Sequence, residues 1–175
     1  MKKWDRLETV SLAGTKSPEN EWTEKEIEEQ KIVTDYIMDA MRDLPDLEKS
    51  ETITVQAGKF QHLKNFISSS VTQDFKIDEL LSELHPTPAV CGLPKKEAFD
   101  YIISNENYDR SFYTGYAGME TSDFKIYFVN LRCAEFFSDS IKIYVGGGIT
   151  ADSQPEKEWQ ETELKSGTII NALVK

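Results

Sequence analysis

Cysteine and histidine are scarce, with two of each in 175 residues. Cys91 and Cys133 form no Cys-x-x-Cys pair and no metal-ligand spacing, so reduced thiols in a cytosolic protein are the expected state. No Ser–His–Asp or Cys–His set can be assembled. Positive charge is also short: 20 Lys and Arg face 31 Asp and Glu, which leaves a net charge of −11 and a pI near 4.7. That argues against a nucleic-acid or anionic-membrane partner, because binding phosphates needs a basic surface. An anionic substrate would then require local cations or a metal. No apolar run approaches the roughly 20 residues that span a bilayer. The opening MKKWDRLETV has neither an apolar core nor a small-residue cleavage site, so a cytoplasmic location is expected.

What is present suits one soluble domain over residues 1–175, with 39% hydrophobic and 29% charged residues. TVSLAG (9–14) reads as a strand ending at Gly14. Thr23-x-x-Glu26 is a capping box that opens a helix over about 24–44. Residues 51–71 are rich in Thr, Val, Ile and Phe and predict strands. IDELLSEL (77–84) predicts a short helix stopped by HPTP, and Pro94 suits the first position of a helix through KKEAFDYIISNE. FYTGYAGME, FKIYFVNLRCAEFF and IKIYV predict strands. Three glycines follow, then a Ser153-x-x-Glu156 capping box with Pro155 at the first helical position, and a helix over 155–173. Helices separated from runs of strands indicate an α+β fold with antiparallel sheet.

Several charges sit on apolar faces. Glu29 falls in line with Val33, Tyr36, Ala40 and Leu44 on the first long helix. On the last helix, Glu158, Glu161 and Lys165 open a face that ends in Ile169, Ala172 and Leu173. These are either a solvated helix start and a surface ion-pair network, or carboxylates placed for a hard cation such as Mg²⁺ with a lysine for an anionic group. Arg132 lies in VNLRCAEF, read as strand, where a carboxylate is its best partner; His62 lies in KFQHLKNF. The glycines of 146–148 permit either a tight turn or close backbone approach to an anion.

Taken together, LHPTPAVCGLPKKEAFDYI, YDRSFYTGYAG, NLRCAEF and YVGGGITADSQPEKEWQETELK strongly resemble the chorismate-utilising enzymes. That family includes isochorismate, salicylate, anthranilate and aminodeoxychorismate synthases. The likeness extends to SLAGTK, TEKEIEEQKIV and KFQHLKNF and so covers nearly the whole chain. The ammonia-using members resemble MGTLSGAPK where this chain has HPTPAV, and Ala89 replaces their threonine, which favours isochorismate synthase over salicylate synthase. The resemblance implies an α+β portion of the family fold. It implies Mg²⁺ held by Glu29 and Glu161 with Glu158 beside them, and Lys165 at the ring carboxylate of chorismate. It implies Tyr113, Arg132, Gly146 and Gly148 at the pyruvyl carboxylate, Gly14 at the ring-carboxylate end, His62 in the pocket, and the 86–89 prolines with Ala89 as its wall. Gln30 departs from the family, where histidine is common, and Cys91 replaces a glycine or serine.

The family's water-activating lysine and proton-donating glutamate lie in an N-terminal half that this chain does not match. The sequence is therefore expected to be a C-terminal fragment, inactive alone in converting chorismate to isochorismate for menaquinone or siderophore synthesis. The alternatives are a salicylate synthase or a non-catalytic folded fragment. Self-association through a face left open by the missing half is also expected.

Overall fold

A computed structural model describes residues 5–173. The chain groups into two compact units, residues 1–89 and 90–175.

In the first unit, β1 (Arg6–Lys16) pairs antiparallel with β4 (Phe60–Ser70), whose other edge takes β2 (Glu48–Lys49) and β3 (Ile53–Ala57). Alternation along β4 turns Leu63, Asn65, Ile67 and Ser69 inward. The helix α1 (Glu24–Ala40) packs on that face with α2 (Ile77–Leu84). Val33, Ile37, Met41, Ile67 and Leu80 form the core. The Tyr36 hydroxyl donates to the Glu83 carbonyl at 2.7 Å and ties α1 to α2.

The sequence reading placed α2 correctly and needs correction elsewhere. The strand β1 does not end at Gly14 but runs to Lys16 through a bulge between Ala13 and Thr15, where Gly14 takes φ +67°. The capping box of α1 forms, with Glu26 accepting the Thr23 N–H at 2.9 Å. The helix stops at Ala40 rather than Leu44, since Leu44 precedes Pro45 and is pushed out of the helical region.

The boundary between the units falls within the short α3 (Pro88–Cys91), and the second unit continues with α4 (Lys95–Asn105), for which Pro94 is the cap rather than the first helical residue. Two hairpins follow, β5 (Tyr116–Glu120) with β6 (Lys125–Val129) and β7 (Cys133–Phe136) with β8 (Ile141–Tyr144). The stretch 124–137 is therefore two strands, broken at Asn130–Arg132. Asn130 and Thr114 extend the first ladder, with Asn130 N–H donating to Gly115 O at 2.7 Å. The helix α5 (Pro155–Leu173) has the expected bounds. Its predicted Ser153 box does not form, because the Ser153 hydroxyl accepts the Thr150 N–H at 3.0 Å; the Gln154 carbonyl accepts the Lys157 and Glu158 N–H groups instead. No described helix is long and apolar enough to cross a membrane.

Candidate functional site

Within the first unit the bulge of β1 is held from three sides. A Cβ at Gly14 would lie 2.8 Å from the Glu26 carbonyl oxygen, so α1 packs directly on glycine backbone. The Gly14 carbonyl meets His62 Nδ1 at 3.0 Å, and Thr15 Oγ1 lies 3.2 Å from the same nitrogen. The Ala13 N–H donates to Gln30 Oε1 at 2.7 Å. Gln30 is buried, and its amide also donates to Ser11 Oγ at 2.9 Å and Asn65 Oδ1 at 2.8 Å. Sequence reasoning treated Gln30 as a departure from a family pattern and missed that it, not Glu29, sits at the centre of the buried helix face. The polar residues Ser11 and Asn65 at inward strand positions were the available signal.

Glu29 lies at the rim of that face, half-buried, with Lys25 Nζ 3.8 Å away as an i,i+4 partner. Ala89 is exposed on α3.

In the second unit the structure gathers five of the predicted residues around the glycine turn. Glu158 is the buried residue of α5, a carboxylate where a core helix would carry hydrocarbon. A Cβ built on Gly147 would meet Glu158 Oε2 and Lys165 Nζ at 3.8 Å and Glu161 Oε1 at 3.9 Å. Two carboxylates and an ammonium thus converge on one point beside Gly147. Lys165 donates to the Gly146 carbonyl at 3.0 Å and pairs with Glu161 at 2.6 Å. Their spacing on the helix, three and then four residues, puts all three charges on one face. The side of Gly146 where a Cβ would project is filled by the Tyr113 hydroxyl. A hollow of about 360 Å³ adjoins this point, lined by Gly147, Ile149, Pro155 and Trp159, with Glu158 as its charged group.

Tyr113 owes its position to a tightly set turn. Ser111 and Thr114 both take positive φ, and the Asp109 carboxylate accepts the Ser111 N–H at 2.8 Å. Such backbone is sparsely populated by L-residues and persists where surroundings impose it. Arg110 supplies the imposition: it forms a two-pronged pair with Glu106, donates to Thr114 Oγ1 at 3.1 Å and lies 5.7 Å from the Tyr113 ring centre. The arginine hydrogen bond holds the Glu106 carboxyl below the usual range. Tyr144 of β8 stacks on Tyr113 at 5.6 Å. Burial, with Tyr108 nearby, pushes the Tyr113 hydroxyl up, so it stays protonated and remains a donor at neutral pH. The reading of the sequence missed Arg110, although its i,i+4 spacing from Glu106 was visible.

Two predicted residues stand apart from this group. Arg132 is exposed at the bend before β7, not embedded in a strand among apolar neighbours. Gly148 meets nothing within 4 Å of a Cβ position. Burial raises the Cys91 thiol, which makes it a poor nucleophile, and both cysteines are free.

Among the described residues no group of three or more His, Cys, Asp or Glu gathers. The Glu158–Glu161 pair nevertheless suits a hard ion that keeps most of its ligands from water and substrate oxygens, as Mg²⁺ does.

The family model for chorismate binding enzymes matches residues 5–174. The chain belongs to the chorismate-binding enzymes. It is 35% identical over 161 residues to isochorismate synthase DhbC of Bacillus subtilis, covering 85% of this chain and 38% of that protein. It is 31% identical over 183 residues to isochorismate synthase MenF of Haemophilus influenzae, covering 97% and 43%. The solved structure of MenF, the menaquinone-specific isochorismate synthase from Escherichia coli, superposes with a TM-score of 0.82 at 26% identity, over 99% of this chain and 44% of that one. DhbC from Bacillus anthracis superposes with a TM-score of 0.86 at 29% identity, over 96% and 49%. The α+β fold with antiparallel sheet is thus the fold of these enzymes, and the matched region is their C-terminal portion. The chain spans about two fifths of the length of these curated relatives.

Proposed function

We propose that this chain supplies the magnesium-binding and carboxylate-binding side of an isochorismate synthase, which moves a hydroxyl of chorismate from ring C4 to C2. The observation that carries the reading is the convergence of Glu158, Glu161 and Lys165 on Gly147, with Tyr113 set against Gly146. Lys165, which donates to the Gly146 carbonyl, brings an ammonium to the glycine turn where a carboxylate of the substrate can meet it. Lys165 receives the ring carboxylate. Tyr113, Arg132 and the backbone of Gly146 and Gly148 receive the pyruvyl carboxylate. Glu158 and Glu161 hold Mg²⁺, and Glu29 keeps its role as a metal carboxylate on the family likeness. When bound, Mg²⁺ neutralises and orients a substrate carboxylate. Gly14 and His62 stay assigned to the pocket, and Ala89 to its wall. The two units together act as one part of a chorismate-binding domain.

The groups that activate water and protonate the departing hydroxyl are assigned to the portion of the relatives outside the match. General acid and base groups contribute about 10²–10⁴-fold each. The purified chain incubated with chorismate and Mg²⁺ should therefore yield no isochorismate on chromatography. Calorimetry should show weak, Mg²⁺-dependent chorismate binding, lost in Arg132→Ala and in Glu161→Gln. Robust turnover by the chain alone would overturn the division of labour, and binding that ignores Mg²⁺ would overturn the metal assignment.

A further inference from the structure

At the bulge of β1 two backbone groups bond side chains: the Ala13 N–H meets Gln30 and the Gly14 carbonyl meets His62. A carbonyl oxygen only accepts, so the hydrogen between Gly14 O and His62 Nδ1, 3.0 Å apart, belongs to the ring nitrogen. A neutral imidazole carries one N–H, and with Nδ1 protonated Nε2 is its acceptor. Thr15 Oγ1, 3.2 Å from the same nitrogen, does not choose between the two forms, since a hydroxyl both donates and accepts. The choice therefore falls to the Gly14 carbonyl, and it holds only while the bulge keeps that carbonyl in place. The side chain of Gln30 is oriented by the same logic. The Ala13 N–H only donates, so Oε1 faces it at 2.7 Å; the Ser11 carbonyl only accepts, so Nε2 faces it at 3.3 Å. Asn65 Oδ1 at 2.8 Å and Ser11 Oγ at 2.9 Å also accept from that nitrogen. Gln30, Ser11 and Asn65 are all buried.

We infer that Gln30 is a positioning residue for His62: by holding the Ala13 N–H it keeps the Gly14 carbonyl on the ring, and that carbonyl keeps the ring proton on Nδ1 and leaves Nε2 as the acceptor. The contacts run in series from Asn65 through Gln30, Ala13 and Gly14 to His62, all within the first unit. A satisfied buried polar network is rigid, which suits it to fix a backbone group that has a second task. Gln30 thus acts through backbone and not on a ligand, at the position where this sequence leaves the family's common histidine. For chorismate the consequence rests on the proposed function, which puts His62 in the pocket. At a neutral ring in this form a substrate group that meets Nε2 must donate to it, as the hydroxyl of chorismate can and its ionised carboxylates cannot.

The test reads the ring directly, by nitrogen NMR of the full chain without ligand, at a pH well above the usual histidine pKa of about 6.5. The chain has two histidines, and His85→Gln identifies the His62 signals. The parent should show His62 with a protonated Nδ1 and a bare Nε2. Thr15→Val should leave that pattern unchanged. Gln30→Met should lose it and give a mixture of both ring forms. Gln30→Glu keeps an oxygen for the Ala13 N–H but sets another against the Ser11 carbonyl. It should lower Tm as Gln30→Met does and still show the Nδ1–H form, a separation that a merely structural role would not produce. Loss of the pattern in both Gln30 variants, its survival in Gln30→Met, or its loss in Thr15→Val would overturn the inference. An Nε2–H ring in the parent would overturn it whether or not the variants fold. The expected pattern in a chain that binds no chorismate would remove the proposed function and leave the hold of Gln30 on His62 standing.

Discussion

Gly14 shows how one residue joins backbone conformation to packing. It needs φ +67°, and its Cα faces the Glu26 carbonyl too closely for a side chain. Gly14→Ala should lower stability by about 1–2 kcal/mol for the left-handed backbone alone, with more for displacement of α1. Thermal unfolding should show a clear drop in Tm, and an unchanged Tm would mean the bulge relaxes freely. Glu106 makes a different kind of contribution. Its carboxyl is held below the ordinary value, first by the Arg110 hydrogen bond, so the folded state binds protons less readily than the unfolded chain. The stabilisation is then complete above the ordinary carboxylate pKa and disappears as pH falls through the depressed one. Glu106→Gln should lower stability at pH 7 and flatten its decline on acidification, read as Tm against pH from 7 to 3. A parallel decline in both proteins would remove Glu106 from the account. The charged face of Glu158, Glu161 and Lys165 was legible in the sequence because helical spacing alone aligns it. Arg110 was not, because its role depends on a turn whose positive-φ residues, Ser111 and Thr114, carry no glycine to announce it.

At the scale of elements, α1 is fixed on the sheet by polar contacts as well as by hydrocarbon. Gln30 bonds Ala13, Ser11 and Asn65 and so spans α1, β1 and β4. Gln30→Met keeps the volume but leaves the Ala13 N–H without this acceptor, while the Asn65 carbonyl retains the Thr52 hydroxyl at 3.2 Å. Each buried group stranded in this way costs about 1–3 kcal/mol. The urea midpoint should fall with the slope unchanged, and a neutral variant would show that water replaces the amide. Elements bounded by proline, α2 before HPTP and α5 from Pro155, were read from sequence with correct limits because proline acts locally. The 124–137 stretch was misread as one strand because apolar continuity does not encode a chain reversal. The break depends on Asn130 closing the ladder with Gly115, a contact set by tertiary geometry. The Ser153 box failed for a related reason, since a nearer donor, the Thr150 N–H, takes its hydroxyl oxygen.

Across the whole molecule the two units are built to different standards. The first has a core cluster centred on Met41 and Ile67, with exposures of 0% and 1%. It also has a long β1–β4 ladder and a satisfied polar network beneath α1. The second has two separate hairpins, an α4 with no buried residue and an α5 whose buried residue is a carboxylate. Local opening free energy follows buried apolar contact, so the units should not share one stability. In native-state hydrogen exchange of the full chain, amides of β4 should exchange only through global opening of the first unit and respond to urea with a steep slope. Amides of β5 to β8 should exchange orders of magnitude faster with little urea dependence, because opening them exposes little that is not already exposed. Uniform protection across 60–70 and 116–144 would show that the hairpins belong to the same cooperative unit as the first sheet. The same measurement bears on the site, since Tyr113, Gly146 and Lys165 all lie in the weaker unit. A substrate that bridges Lys165 and the glycine turn should raise the opening free energy there by RT ln(1 + [L]/Kd), slowing exchange by the factor 1 + [L]/Kd, and leave β4 unmoved, because a ligand stabilises only against the opening that breaks its contacts.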